Sequence, residues 1–330
     1  MKILVTGGAG FIGSHLCEKL VQEGHSIRVI DNFSIGRKSN LNKIKNRIKI
    51  YNKDIRNYDL IKKLFKNIDV VLHLAALADI VPSIENPDEY FSTNVTGTYN
   101  VLKLSSENKV KRFIYTASSS CYGIPNQYPT KETAKVDPQY PYALTKRLGE
   151  ELVLHFSKVY KLNASSLRFF NVYGPRARTT GTYGAVFGVF LAQKIAKKPF
   201  TIVGDGNQTR DFTFVSDIVD AILKVSKNKK LIGEIFNVGS GKTVSVNRIV
   251  YLLKGKKINI PKRPGEPDVT FACIKKIKSK TSWKPKIPIE KGIEIMLKHI
   301  NDWKHAPVWT PNKISKQTKK WFYYLGKKNK

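Results

Sequence analysis

A tyrosine and a lysine four residues apart could form an acid–base pair. Tyr142 and Lys146 lie in the segment PYALTK at 141–146, which predicts the start of a helix because proline suits the first helical turn. Residues four apart project from the same helix face. An ammonium beside a phenol lowers the pKa of the phenol, so Tyr142 could act as a base at neutral pH. Surface Tyr–Lys pairs are also common on helices, and the spacing alone does not exclude that interpretation.

A serine upstream could complete this pair. The segment YTASSSCYG at 115–123 ends a predicted strand, and Ser118 stands at the end of that strand. Ligands bind at the carboxyl edge of open α/β sheets, where a serine hydroxyl can hydrogen-bond a substrate hydroxyl. Serines at strand ends more often cap turns, so this interpretation also remains open.

The glycine-rich segment TGGAGFIG at 6–13 predicts a nucleotide-binding turn. Its glycines are spaced by three, at Gly7, Gly10 and Gly13, between a predicted strand and a predicted helix. Glycine lets the backbone turn tightly and lets a pyrophosphate approach the free N–H groups at the start of the helix. Glycine-rich turns also serve ordinary connections, but here the context is right on both sides.

Asp31 ends the next predicted strand, where a ribose-binding acid is expected. A carboxylate there accepts the ribose 2′-hydroxyl and repels a 2′-phosphate, which favours NAD over NADP. The alternative is that Asp31 only caps a turn with Asn32. Arg37 and Lys38 lie nearby and could tolerate a phosphate.

The elements that carry these residues alternate along the first half of the chain. Buried strands are predicted at 2–6, 26–31, 68–74 and 112–117, with helices from about 12 to 23 and over 90–107. This rhythm predicts an α/β fold with a doubly wound parallel Rossmann sheet. The rhythm changes after Arg168, which predicts a smaller C-terminal α/β lobe. We predict a cofactor domain at 1–168, a substrate lobe at 169–310 with some segments returning to the first domain, and a basic aromatic tail at 311–330.

Composition narrows the class of protein. The chain has 330 residues and is 41% hydrophobic, with no apolar run long enough to span a bilayer and no secretion signal at its start. We therefore expect a cytoplasmic protein. Three cysteines without a CxxC pair argue against a disulfide scaffold or a metal site and favour buried, reduced thiols.

The net charge of +33 is compatible with nucleic acid, an anionic membrane surface or an acidic substrate. The lysines are spread along the whole chain, as proteome-wide bias would produce, so we expect no specific nucleic-acid partner and an anionic small-molecule substrate. The tail at 311–330 could contact a membrane or nucleic acid, or could dock through Trp321 and Phe322.

Taken together, the motifs resemble the extended short-chain dehydrogenase/reductase family, within its NAD-dependent epimerase/dehydratase branch, and especially UDP-glucose 4-epimerases. The resemblance extends to about Pro288. The motifs that carry it occur in order: TGGAGFIG, Asp31-Asn32, Asp54-Ile55, HLAA at 73–76, NVTGT at 94–98, SSSCYG, YALTK, RFFNVYGP at 168–175 and TRDF at 209–212.

The resemblance implies a catalytic triad of Ser118, Tyr142 and Lys146 and a bound NAD. The cofactor-binding residues that it implies are Gly7, Gly10, Phe11, Ile12, Asp31, Asn32, Asp54, Ile55, Leu74, Ala75, Ala76, Asn94, Tyr142 and Lys146.

The resemblance also implies a UDP-sugar substrate, whose sugar contacts Ser118 and Tyr142. The other implied substrate-binding residues are Asn171, Arg210, Arg263, Glu266 and Thr270. An arginine fork suits phosphate oxygens. Alternatively, Arg210 could pair with Asp211, and Arg263 could be a solvated loop cation. Two departures from the family pattern, Glu266 for Asp and Cys273 for Asp, weaken the uridine contacts.

The residues after Ser118 separate the reactions of this family. Related 4,6-dehydratases carry Asp-Glu there, and UDP-glucuronate decarboxylases carry a glutamate at the second position. This chain has Ser119 and Ser120, which do not transfer protons at neutral pH. We therefore predict epimerisation at C4 of a UDP-hexose (glucose/galactose and/or the N-acetylhexosamines) through a transient 4-keto sugar.

Several alternatives remain open. Within the same fold they are another NAD-dependent nucleotide-sugar oxidoreductase, a UDP-uronic acid 4-epimerase and a 4,6-dehydratase. From a different class, the alternative is a non-catalytic NAD-sensing or nucleic-acid-binding protein.

Two further expectations concern the size of the sugar pocket and the assembly of the protein. Thr270 is small, so the sugar pocket should admit an N-acetyl group, and relatives suggest a homodimer through helices at 87–108 and 142–160.

Overall fold

The structure is a computed structural model that describes residues 1–177 and 186–326. Its strands are β1 (Lys2–Thr6), β2 (Ser26–Asp31), β3 (Lys49–Asn52), β4 (Val70–His73), β5 (Arg112–Ser118), β6 (Ala164–Phe169), β7 (Asn171–Tyr173), β8 (Phe200–Val203), β9 (Thr209–Arg210), β10 (Phe212–Phe214), β11 (Glu234–Val238), β12 (Val244–Ser245) and β13 (Lys257–Ile260).

The helices are α1 (Phe11–Gln22), α2 (Tyr58–Ile61), α3 (Ile80–Glu85), α4 (Pro87–Phe91), α5 (Gly97–Glu107), α6 (Pro141–Val159), α7 (Val186–Ile195), α8 (Val215–Lys227), α9 (Val246–Leu253), α10 (Lys275–Thr281), α11 (Ile289–Lys298) and α12 (Pro311–Leu325). A π-helical turn (Ser92–Thr96) joins α4 to α5. Short 3₁₀ helices cover Lys38–Leu41, Lys45–Arg47, Lys62–Phe65, Ser119–Tyr122 and Ile300–Trp303.

A parallel sheet of seven strands forms the centre of the molecule, in the order β3-β2-β1-β4-β5-β6-β11. The predicted doubly wound Rossmann sheet is therefore confirmed. The strand order reverses between β1 and β4, and ligands bind in the crevice outside the carboxyl ends of the strands at such a switch point.

The sheet is buried on both faces because its strands are aliphatic on both. Along β1, Ile3 and Val5 pack into one hydrophobic cluster with residues of α1 and α8. Leu4, between them, packs into the cluster on the opposite face with residues of α5 and α6. This alternation follows from the two-residue period of a strand, and continuous apolar strands are typical of parallel sheets covered by helices.

A third hydrophobic cluster forms the core of a smaller lobe. It contains aromatic residues of α7, β8 and β10, among them Phe187, Phe200 and Phe212, with aliphatic residues of α9 and α11. Not all of the later chain belongs to this lobe, since β11 pairs with β6 in the main sheet. The predicted domain boundaries at 168 and 310 remain predictions.

The C-terminal segment that was expected to be a tail is helical through Leu325; residues 327–330 lie outside the described residues. Trp321 is 1% exposed whereas Phe322 is 37% exposed, so docking through Trp321 is found and docking through Phe322 is not. In the described part of the chain, none of the helices has both the length and the apolar character needed to cross a membrane. The three cysteines are buried free thiols, as predicted.

Candidate active site

A cavity of about 690 Å³ opens at the carboxyl ends of β1, β2, β4 and β5. Nearly all of the residues predicted for the site line it. Those residues are Gly7, Gly10, Phe11, Ile12, Asp31, Asn32, Asp54, Ile55, Leu74, Ala75, Ala76, Ser118, Tyr142, Asn171, Arg210, Arg263, Glu266 and Thr270. Lys146 and Asn94, which were also predicted, are not in the lining; both are buried behind it.

The glycine-rich turn forms a cradle that side chains would fill. Gly7 has a φ of +71°, and a Cβ on it would lie 2.7 Å from the backbone nitrogen of Ala75. A Cβ on Gly13 would collide with the carbonyl oxygen of Gly7, so α1 packs directly on the turn. The N–H groups of the first turn of α1 face this cradle, an arrangement that suits a pyrophosphate.

Asp31 is held at the end of β2 by the cradle itself. Its carboxylate accepts hydrogen bonds of 2.8 Å from the backbone N–H groups of Ala9 and Phe33. Burial raises the pKa of this carboxyl, and the two hydrogen bonds oppose that shift. These two contacts are those of a turn cap, as the alternative interpretation predicted. Asp31 also lines the cavity, and its carboxylate has further lone pairs that can accept a hydrogen bond from a ribose hydroxyl.

A second acidic residue lies at the predicted adenine end. Asp54 accepts hydrogen bonds from Arg56 at 2.7 Å and from the side-chain amide of Asn32 at 2.9 Å. Burial raises the pKa of the Asp54 carboxyl, but the hydrogen bonds outweigh it and lower the pKa to about 2. Asp54 is therefore an anion at neutral pH.

The two cations that could have accepted a 2′-phosphate point elsewhere. Arg37 donates to the carbonyl oxygen of Arg176 at 3.4 Å, and the Lys38 ammonium lies 5.3 Å from the centroid of the Phe33 ring. Neither residue lines the cavity. The cradle and Asp31 therefore fit NAD.

A buried chain of hydrogen bonds positions the loop after β4. Thr98 donates to the carbonyl oxygen of Asn94 at 2.6 Å, so its oxygen is left to accept from Nε2 of His73 at 2.9 Å. Nδ1 of His73 then accepts from Thr6, 2.6 Å away, and the Thr6 oxygen accepts from the backbone N–H of Ala75. Burial, with the nearby Lys146, lowers the pKa of His73 to about 3, so the ring stays neutral.

Asn94 acts behind the cavity wall. Its amide oxygen accepts from the Leu77 N–H at 2.8 Å, and its amide nitrogen donates to the Leu77 carbonyl at 3.0 Å and to the Thr145 hydroxyl at 3.0 Å. Asn94 therefore joins α6 to the loop between β4 and α3 (residues 74–79), which we call the cofactor-side loop. These hydrogen bonds are all made within the protein, and the contact of Asn94 with the cofactor stays a prediction.

Ser118 and Tyr142 meet at the cavity. Ser118 ends β5, and Tyr142 is the second residue of α6, after Pro141 at the first position. Burial raises the pKa of Tyr142 above its ordinary value, and a hydrogen bond with Ser118 opposes that shift. The lowered pKa that the spacing to Lys146 predicted for Tyr142 is not found, because burial dominates and the net shift is upward.

Lys146 lies one turn further along α6, with its ammonium 4.3 Å from the centroid of the Tyr115 ring. Burial lowers the pKa of Lys146 to about 7, and the Glu150 carboxylate opposes that shift. A buried lysine whose pKa lies near neutral pH can gain or lose its proton when a ligand binds.

A buried polar network below α6 was not predicted from the sequence. Glu150 pairs with Arg168 at 2.6 Å, and Arg168 donates to the Tyr122 hydroxyl at 2.7 Å. The Tyr122 hydroxyl donates to Asn237 at 2.7 Å, and the Asn237 side chain donates to the Thr130 carbonyl. The network joins α6, β6 and β11 to the segment 130–132. The buried ionisable residues were visible in the sequence, but their pairing is set by the tertiary fold.

The second lobe contributes a cationic cluster. Glu266 lies 3.3 Å from Nη1 of Arg263 and 3.9 Å from Nη2 of Arg210. The alternative of an Arg210–Asp211 ion pair is not found, because the Asp211 carboxylate accepts from Ser240 and from the N–H groups of Gly241 and Ala272. Two guanidinium groups against one carboxylate leave net positive charge, which suits a diphosphate.

Thr270 lies in the cavity wall and is half-buried, so the alternative of a solvent-facing loop residue is not found. Its hydroxyl donates to the Asn171 side chain at 2.9 Å and accepts from the Asp211 N–H at 3.1 Å.

Comparison with known proteins agrees with this geometry. The chain is 37% identical over 309 residues to the UDP-glucuronate 4-epimerase of Thermodesulfobacterium geofontis, covering 88% of this chain and 93% of that protein. It superposes on the UDP-glucose 4-epimerase of Thermotoga maritima, solved with UDP-glucose, with a TM-score of 0.86 and 32% identity, covering 91% of this chain and 99% of that one.

A third similar structure is the UDP-N-acetylglucosamine 4-epimerase of Methanobrevibacter ruminantium M1, solved with UDP-N-acetylmuramic acid. Its TM-score is 0.84 at 32% identity, and the match covers 92% of this chain and 97% of that one. The family model described as the NAD dependent epimerase/dehydratase family matches residues 3–239. This chain is therefore an enzyme that uses NAD and belongs to the NAD-dependent epimerase/dehydratase family.

Proposed function

We propose that this enzyme inverts C4 of a UDP-hexose through a transient 4-keto sugar, interconverting UDP-glucose with UDP-galactose, UDP-N-acetylglucosamine with UDP-N-acetylgalactosamine, or both pairs. The observation that carries this proposal is the set of side chains at the reacting end of the cavity. Ser118 and Tyr142 both line the cavity there, and the next two side chains in its wall are those of Ser119 and Ser120. Elimination of water needs an added acid and base, which serines do not supply at neutral pH.

In this proposal, Tyr142 moves the proton of the C4 hydroxyl. Ser118 orients the C4 oxygen by hydrogen bonding. The Ser118 hydroxyl oxygen is itself fixed, because it accepts a 2.8 Å hydrogen bond from the Ser120 hydroxyl. The raised pKa of Tyr142 makes it a proton donor in this state, suited to protonating the 4-keto oxygen. A bound NAD would be held by the glycine-rich cradle and Asp31; it would supply a hydride acceptor and donor for C4 and, in its oxidised form, a positive charge that favours the Tyr142 phenolate.

The diphosphate is assigned to Arg210 and Arg263. Burial lowers the pKa of Arg210, and the Glu266 carboxylate opposes that shift. The two guanidinium groups can share their charge between Glu266 and an incoming anion. Asn171, which Thr270 orients, is assigned to the same nucleotide. Rotation of the keto sugar about its link to this fixed diphosphate presents the opposite face of C4.

A UDP-uronic acid is the second candidate substrate, favoured by the 37% identity to a UDP-glucuronate 4-epimerase. The deciding experiment incubates purified protein, without added NAD, with UDP-glucose, UDP-N-acetylglucosamine and UDP-glucuronate, and identifies products by NMR. The proposal expects C4 epimers of one or both hexoses. A 4-keto-6-deoxy product, a decarboxylated sugar, or an epimer of the uronate alone would overturn it.

A homodimer through α4, α5 and α6 is part of the same proposal. These helices pack against one another and expose large apolar side chains: Phe91 is 51%, Tyr99 43% and Leu144 48% exposed. Such side chains on adjacent helices suit an interface between two copies. Sedimentation should give twice the monomer mass for the natural protein and the monomer mass for Leu144→Glu; a natural monomer would refute the dimer.

A further inference from the structure

The C-terminal helix α12 reaches the active-site cavity, although the sequence assigned it no part in the site. It begins at Pro311, with the Thr310 hydroxyl capping its first turn. Its buried residues, Ile314, Thr318 and Trp321, are spaced by four and three, which is one face of a helix. Ile314 packs into the core of the smaller lobe, and Trp321 lines the cavity.

Trp321 contacts the loop that carries the cationic cluster. Its indole N–H donates to the carbonyl oxygen of Pro264 at 2.8 Å. The guanidinium of Arg263 lies 5.2 Å from the centroid of a Trp321 ring, within the range of a cation–π interaction. The loop is covered beyond this point by Leu325, whose Cδ1 would lie 3.6 Å from a Cβ placed on Gly265.

The same indole packs near the start of α6, the helix that carries Tyr142. Its ring centroid lies 6.4 Å from that of Tyr140, and Tyr140 stacks on Tyr142 at 6.5 Å with an angle of 8° between their planes. α12 also packs against α3, which follows the cofactor-side loop. One helix thus connects the cofactor side of the cleft to the loop at 263–266.

We infer that Trp321 is a positioning residue for the nucleotide of the substrate: it holds the 263–266 loop so that Arg263, paired with Glu266, faces the diphosphate. This inference rests on the proposed function, because Arg263 is assigned to the diphosphate there. The indole N–H fixes the loop backbone at Pro264, while the ring fixes the side chain of Arg263. Losing Trp321 should therefore weaken UDP binding without emptying the NAD site.

The chain offers a matched control in Trp283. This tryptophan is also buried, and its indole N–H donates to a backbone carbonyl, that of Asp217, at 2.9 Å. It packs in the main core and does not line the cavity. Trp321→Phe and Trp283→Phe each delete one buried indole hydrogen bond, so both should lower the melting temperature.

The experiment measures UDP affinity by calorimetry on the NAD-loaded protein, together with NAD content and steady-state kinetics. We expect Trp321→Phe to raise the Kd for UDP about threefold and Trp321→Ala about tenfold, as the loss of a hydrogen bond and a cation–π contact implies. KM for the UDP-sugar should rise with Kd, kcat should change by less than about threefold, and Trp283→Phe should leave Kd unchanged.

Equal Kd values for Trp321→Phe and the natural protein would overturn the inference while leaving the proposed function standing, as would an equal loss of affinity in Trp283→Phe. If Trp321→Ala does not fold, the Phe variant still decides. A natural protein that does not bind UDP would overturn the proposed function, and this inference with it.

Discussion

Replacing Thr270 by tyrosine tests whether the size of this side chain sets the choice of sugar. Thr270 lies in the cavity wall, and we expect it to lie beside C2 of the hexose in the proposed substrate complex. A tyrosine ring there should occupy the space that an acetamido group needs. We expect the natural protein to epimerise UDP-N-acetylglucosamine at least as fast as UDP-glucose, and Thr270→Tyr to suppress the acetylated sugar selectively.

The structure adds a second effect that must be separated from size. The Thr270 hydroxyl makes two hydrogen bonds, to Asn171 at 2.9 Å and from Asp211 at 3.1 Å. At about 0.5–1.5 kcal/mol each, their loss costs roughly 1–3 kcal/mol, or about 5- to 150-fold in kcat/KM for either sugar. Overpacking adds about 1–3 kcal/mol for the acetylated sugar alone, because packed pockets do not readily expand.

Thr270→Val is the control, because it deletes the hydroxyl without adding volume. The assay measures kcat/KM for both sugars by NMR and compares their ratio among the natural protein, the Val variant and the Tyr variant. The kcat/KM for the acetylated sugar divided by that for UDP-glucose should stay constant in Thr270→Val and fall about 5- to 150-fold in Thr270→Tyr. A Tyr variant that slows both sugars equally would show that Thr270 does not limit the size of the sugar pocket. A natural protein that does not epimerise the acetylated sugar would refute the size argument.

Three further outcomes are expected. Tyr142→Phe should abolish turnover while leaving UDP binding by calorimetry nearly intact, because only the acid–base hydroxyl is lost; a near-normal rate would refute the triad. Denatured protein should release NAD(H), and activity should need little added cofactor, because the cycle regenerates NAD; finding only NADP would contradict the Asp31 assignment. Since the pKa of Lys146 is lowered from 10.5 to about 7, unfolding of the nucleotide-free protein takes up a proton between those values. Its free energy should therefore rise with pH from about 7 to about 10.5, by at most about 1.4 kcal/mol per pH unit, and Lys146→Met should lack this rise in denaturant titrations; equal slopes would contradict the shift.

Local sequence patterns were sufficient for the elements that hold the cofactor. The predicted bounds of the strands at 2–6 and 26–31 match β1 and β2, because continuous aliphatic runs bounded by glycine or polar turns specify buried strands. The spacing of Gly7, Gly10 and Gly13 predicted the cradle for a similar reason: local close approaches leave no room for a side chain at Gly7 or Gly13, and a Cβ on Gly10 would lie 3.2 Å from the carbonyl oxygen of Gly7.

Features that depend on tertiary packing were not predictable in this way. The pKa of Tyr142 follows from burial rather than from its spacing to Lys146. The place of Asn94 follows from its bonds to Leu77 and Thr145, two segments distant in sequence. The sequence indicated that Trp321 could dock, but not where: its hydrogen bond to Pro264 joins positions 57 residues apart, and a basic aromatic segment contains no local signal for that contact.

In the proposed reaction, C4 is oxidised reversibly and the same hydrogen returns to the same carbon. UDP-glucose and UDP-N-acetylglucosamine that carry deuterium at C4 test this return when they are incubated with the purified protein without added NAD and followed by NMR. We expect an equilibrium mixture of C4 epimers, for at least one of the two sugars, that retains deuterium at C4. Loss of the deuterium to solvent, or a product that is not a C4 epimer, would contradict it.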